Sequence, residues 1–165
     1  MTTSTGATAL PEPLRARVVQ LSAQVLPVVG VLPPPLRKVA SFAPQRRARL
    51  GAGQIVAALA DDDLRERVAT QVVARSELRD LATVLLGEDD RPDETVQDLP
   101  EHDPLDVAAL LWLRRPAGWT AAYDAALARL DDVREAATAA EDAEARRTLE
   151  RRVASLEEEL TRQRA

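Results

Sequence analysis

The strongest chemical signal in the sequence is cationic. Arg37 and Lys38 are followed by Arg46, Arg47 and Arg49, the last three inside Phe42-Ala-Pro-Gln-Arg-Arg-Ala-Arg-Leu-Gly-Ala-Gly53. Guanidinium groups grip phosphate through paired donors, so several on one helical face would follow a nucleic-acid backbone with strongly salt-dependent affinity. The competing reading is a salt-bridged surface. On a wheel centred on Ile55, Arg46 lies about 180° away, Arg49 about 120° and Arg47 about 80°, at about 100° per residue. The charge of the whole chain is divided in the same sense. Residues 1–50 hold seven Lys/Arg against the single acid Glu12, or +6, and residues 51–165 hold fifteen against twenty-six, or −11, which sum to −5. A basic stretch beside an acidic one points to an anionic partner for the first, and RNA is the partner considered.

Other chemistries are poorly supplied. Without Cys there is no disulfide, thiol nucleophile or thiolate metal site, and the lone His102 has no second His to pair with. Gly51-Ala-Gly53 follows no strand and precedes no Lys-Ser/Thr, so it is not a phosphate-binding loop. These two glycines are costly inside a helix and would suit the close approach of a backbone, from a neighbouring helix or a nucleic acid. Asp61-Asp62-Asp63 could offer oxygens to Mg²⁺ but reads better as a helix cap. Asp89-Asp90 with Asp93-Glu94 lacks the central Gly and terminal Glu of a calcium loop. Ser22, Ser41, Ser76 and Ser155 have no identifiable base. Neither a catalytic constellation nor a metal or cofactor site is expected, and the chain is read as a non-enzyme.

The elements that must carry these residues are helical. Leu14, Val18, Leu21 and Val25 recur at spacings of 4, 3 and 4, and Pro27, Gly30 and Pro33-Pro34-Pro35 end that helix. A short helix from Leu36 to about Phe42 follows. Pro44 then opens a helix with the stripe Ala48, Ala52, Ile55 and Leu59. The Asp61–Asp63 run caps the next helix, with Leu64, Val68 and Val72. Ser76 caps another with Leu78, Leu81 and Leu85, which Gly87 stops. Residues 87–103 hold eight acids and one Arg, a composition that predicts a mobile loop. Asp103-Pro104-Leu105-Asp106 reads as N-cap, first-turn proline and N3 acid, with Leu105, Ala108, Ala109 and Trp112 as the stripe behind it. No strand pattern survives its prolines and glycines, so the fold predicted is all-α.

From Thr120, a plausible cap, the chain runs to its end without Gly or Pro. Leu127, Leu130 and Val133 start a seam there, which becomes small at Ala137 and Ala140. It resumes as Leu149, Val153, Leu156 and Leu160 in 4-3-4 heptad spacing, predicting a coiled coil between copies of the chain. The seam is still apolar at Leu160 with no breaker after it, so a longer protein is expected. The organisation predicted is a disordered tail over 1–10, a helical module over 11–119 and a long helix over 120–165. No stretch is apolar enough to span a membrane, and the N-terminus lacks a secretory pattern, so the location expected is cytoplasmic.

Several longer motifs fall in order along the chain. They are Leu-Pro-Glu-Pro-Leu-Arg at 10–15, Pro-Leu-Arg-Lys-Val-Ala-Ser-Phe-Ala-Pro-Gln-Arg-Arg-Ala-Arg-Leu-Gly at 35–51, Leu64-Arg-Glu-Arg-Val-Ala69, and Asp103-Pro-Leu-Asp-Val-Ala-Ala-Leu-Leu-Trp-Leu-Arg-Arg-Pro-Ala-Gly-Trp119. Together they resemble the N-terminal helical region of actinobacterial NYN-domain (YacP-like) RNA-binding proteins. In that family a helical module and a coiled coil precede a PIN-like nuclease domain. The metal-binding carboxylates of that domain have no counterpart here, so the resemblance implies a link to RNA and carries over no catalytic residue.

Overall fold

The computed structural model describes residues 10–74, 76–86 and 102–164. The expected tail over 1–10 except for Leu10, the expected loop over 87–103 except for His102 and Asp103, and the proposed capping role of the Ser76 side chain lie outside them. Among the described residues there are seven α-helices, one 3-10 turn and no strand, so the fold is all-α. The chain forms two compact units, one ending at Leu127 and one running from Ala128.

In the first unit the apolar stripes become the core. Helix α1 (Leu14–Val25) buries Leu14, Val18, Leu21 and Val25 completely, and Leu10 just before it is buried as well. Full burial of each such side chain favours the folded state by about 1.5–3 kcal/mol. A 3-10 turn (Leu26–Val28) containing Pro27 ends α1. Helix α2 (Pro34–Ala40) starts two residues before the expected Leu36, because a proline lacks only an N–H that the first turn leaves unbonded anyway. Helix α3 (Pro44–Ala58) begins at its proline and points Ile55 into the core, with Leu59 following it. Helix α4 (Asp62–Val73) is capped by Asp61, whose carboxylate accepts the Leu64 N–H at 2.8 Å. Helix α5 is Ser76–Leu86.

Helix α6 (Pro104–Arg114) is capped by Asp103, which accepts the Leu105 N–H at 2.9 Å. Its burial differs from the one-sided stripe expected. Val107 to Leu111 and Leu113 are all buried, while Leu105 and Trp112, two of the four stripe residues, are only partly so. A helix apolar on all sides belongs at the centre of a bundle, and α6 packs against α1, α4 and α5. Arg17 on α1 donates Nε–H to Asp106 Oδ1 at 2.5 Å, and Arg114 pairs with Glu66 of α4.

Helix α7 is Trp119–Arg164, 46 residues or roughly 69 Å at 1.5 Å per residue. It starts one residue before Thr120, which therefore lies in the first turn and is not the cap. Residues 119–127 close the first unit, and the second unit consists of the remainder of this helix with its Leu149, Val153, Leu156 and Leu160.

Candidate nucleic-acid interface

The five cations singled out in the sequence fall on two successive helices joined by Ser41-Phe42-Ala43. Arg37 and Lys38 lie in the last turn of α2, and Arg46, Arg47 and Arg49 in the first two turns of α3. The helices are held together where Gly51 faces Val39. A Cβ at position 51 would stand 3.0 Å from Val39 Cγ2 and nearer still to Cγ1, so the absent side chain is what lets Val39 seat. Gly51 thus admits a neighbouring helix through one of its side chains. Around Gly53 there is open space.

The five are not equivalent. Arg37 donates Nε–H to the Leu32 carbonyl at 3.1 Å, and Arg47 donates Nε–H to the Ala40 carbonyl at 3.2 Å. Both therefore satisfy carbonyls at the edges of α2 while keeping their terminal nitrogens. Half-buried Arg47 sits where its wheel position on the flank of α3 places it. Lys38, Arg46 and Arg49 are exposed and make no side-chain hydrogen bond or ion pair among the described residues. Residues 13–60 contain no acid at all. Phe42 packs partly buried against the core.

Electrostatically the arrangement is self-opposing. Helix α3 has no acid in its first turn, and its unbonded N–H groups carry the positive end of the helix dipole. Three arginines crowd that same end. An anion near Arg46 would relieve both the like charges and the dipole. On the α1 side a shallow groove of about 360 Å³ runs past Ala48 and Arg49 to Arg15, which pairs with Glu12 at 3.3 Å. A larger, mainly apolar groove of about 730 Å³ lies between Val31–Pro35, α3 and α4, with Arg37 and Arg67 at its margin.

A second cluster went unread in the sequence. Arg115 ends α6 in the left-handed conformation, φ 47°, and its guanidinium stacks on Trp112 at 4.9 Å and Trp119 at 5.5 Å. Tyr123 meets Trp119 edge-on at 5.2 Å. Burial first, and then the charge of Arg65, pull the Arg115 guanidinium below the ordinary arginine range. Arg65 itself is held by Asp62, whose carboxyl it keeps below the usual range by hydrogen bond and then by charge. By stacking on both indoles, Arg115 ties the end of α6 to the start of α7. The legible signal was spacing: positions 112, 115, 119 and 123 recur at 3 or 4, and hold three of the chain's four aromatics.

In the second unit Leu149, Val153, Leu156 and Leu160 are 67, 53, 44 and 50% exposed, an apolar face with nothing on it. Among the described residues no group of three or more His, Asp or Glu is placed to hold a metal ion, and no helix is long and apolar enough to cross a membrane. Set against protein-family models, curated proteins and solved structures, the chain matches none.

Proposed function

We propose that this chain is a non-catalytic helical module of an RNA-processing protein, contributing contacts to the RNA backbone. The observation that carries the reading is the patch on α2 and α3: Lys38, Arg46 and Arg49 stand exposed and unpaired in a stretch without a single acid. Arg37 and Arg47 flank them, each with its terminal guanidinium nitrogens still to offer. The resemblance of the longer motifs to those of NYN-domain proteins is what favours RNA over other polyanions on this reading. On this reading the module works in the cytoplasm, and any nuclease chemistry belongs to a separate domain. The test is RNA affinity measured against salt. Each lost phosphate contact lowers the slope by about 0.7–0.9, so Arg46→Ala and Arg49→Ala together should remove about 1.5. Unchanged affinity and slope would remove the patch from the interface.

A second reading, that the chain is a purely structural module which associates with its own kind or docks another protein, is favoured in its first form by the exposed seam of α7. Mass should then rise with concentration, and Leu149, Val153 and Leu156 changed together to Ser should abolish the rise. A constant single-chain mass would end this reading.

A further inference from the structure

The charges beside the α7 seam carry more than association. With Leu149 and Leu156 at d and Val153 and Leu160 at a, the flanking e and g positions are Glu150, Arg152, Glu157, Glu159 and Arg164. The outward charges one turn upstream are satisfied within the helix: Arg147 pairs with Glu144 at 2.7 Å and Arg151 with the same carboxylate at 3.4 Å. None of the five flanking charges makes a side-chain hydrogen bond or ion pair among the described residues. The charges bordering the exposed apolar face are thus open, as outward Glu158 and Arg162 are too, so what distinguishes the bordering set is the order of its signs.

Their signs choose an orientation. In a parallel, in-register pair each g residue meets the e residue five positions later on the other helix. Arg152 then meets Glu157 of the second copy, and Glu159 meets its Arg164, so symmetry gives four attractive pairs and no repulsive one. An antiparallel pair that keeps all four apolar layers sets Leu149 on Leu160 and Val153 on Leu156. There Glu150 faces Glu157 twice, while Arg152 faces Glu159 twice, so attraction and repulsion cancel. Any other antiparallel register loses half of the apolar layers. β-Branched Val153 at a with leucines at d further favours two strands. We infer that residues 149–164 form a parallel, in-register two-stranded coiled coil with a second copy of this chain. The inference rests on the association reading and adds the direction, the register and the pairs that select them.

Because the chain has no Cys, single cysteines report the geometry without background. Leu149→Cys and Leu160→Cys, each in the full chain, are equilibrated in a glutathione redox buffer, alone and as a mixture in which one carries a size tag. The parallel pair predicts that each variant forms a disulfide with itself. Disulfides confined to the mixture, linking 149 to 160, would overturn the direction while leaving association intact. Sedimentation of the unaltered protein separates the two failures, since a single chain at every concentration sinks association and direction together. Arg152→Glu supplies a readout free of cysteine. It turns two attractive pairs into two repulsive ones and should weaken the dimer about tenfold, with Glu157→Arg restoring it. A dimer indifferent to Arg152→Glu would refute the pairing.

Discussion

Two glycines on one helix, two residues apart, should respond to the same substitution with opposite sign. An alanine in place of glycine inside a helix stabilises by about 1 kcal/mol. At Gly53 a Cβ would meet nothing within 4 Å, so Gly53→Ala should show that gain undiminished. At Gly51 the new methyl would stand 3.0 Å from Val39 Cγ2 and 3.2 Å from Val39 Cβ, with Cγ1 closer. Val39 is buried, and a β-branched side chain has few rotamers to retreat into. Overpacking of this kind costs about 1–3 kcal/mol, so Gly51→Ala should lie between neutral and about 2 kcal/mol less stable. Urea unfolding followed by tryptophan fluorescence reads this cleanly, because Trp112 and Trp119 both belong to the first unit. With Val39→Ala already in place the two Cγ contacts are gone and only the Cβ contact at 3.2 Å remains, so Gly51→Ala should then be clearly less unfavourable than in the native sequence, its upper limit a gain of about 1 kcal/mol. If Gly51→Ala stabilises the native sequence as much as Gly53→Ala does, the packing of α2 on α3 described above is wrong.

Three other perturbations test separate parts of the argument. The Ser22 hydroxyl is buried on α1 without a hydrogen-bond partner among the described residues, so Ser22→Ala should raise stability by about 1 kcal/mol in the same urea assay, and a loss of that size would reveal a partner. Asp61→Ala and Asp103→Ala each remove a side-chain cap and should each cost about 1 kcal/mol, with Asn at either position recovering most of it. The single tyrosine, Tyr123, is pushed above the ordinary phenol range by burial, then by Asp124, so the midpoint of its phenolate absorbance should lie above that of the protein in denaturant, where it returns to about 10. Since the folded value is the higher one, the corresponding stability is intact below pH 10 and is lost as pH climbs through the folded value.

What could be seen in advance was what depends on neighbours along the chain. The stripes of α1 and α3, the Asp61 and Asp103 caps and the flanking position of Arg47 all follow from a period of 3.6 residues and short-range hydrogen bonding. Periodicity fails where almost everything is apolar. In Leu105–Leu113 many faces qualify, so choosing Leu105 and Trp112 as the inward residues missed a helix buried all round. Contacts made across the fold were also hidden, such as the meeting of Gly51 with Val39. So was the division of the basic patch into two carbonyl-bound arginines and three open cations, which depends on where α2 ends in space. The Arg115 clasp had a visible spacing, but nothing local announces that an arginine will take the left-handed conformation.

The position of α6 bears on how the first unit tolerates being cut. Its eleven residues fill the middle of a bundle whose other walls, α1, α4 and α5, come from before residue 87, and the Arg17–Asp106 link joins residues 89 apart in sequence. A chain halted at Leu86 would lack its central rod, and a peptide beginning at Pro104 would have no walls around it. Each piece is the other's missing interior. Two separately made halves, 1–90 and 95–165, should therefore find each other in solution, and the tryptophan emission of the second half, which holds both Trp112 and Trp119, should shift to the blue when the tryptophan-free first half is added.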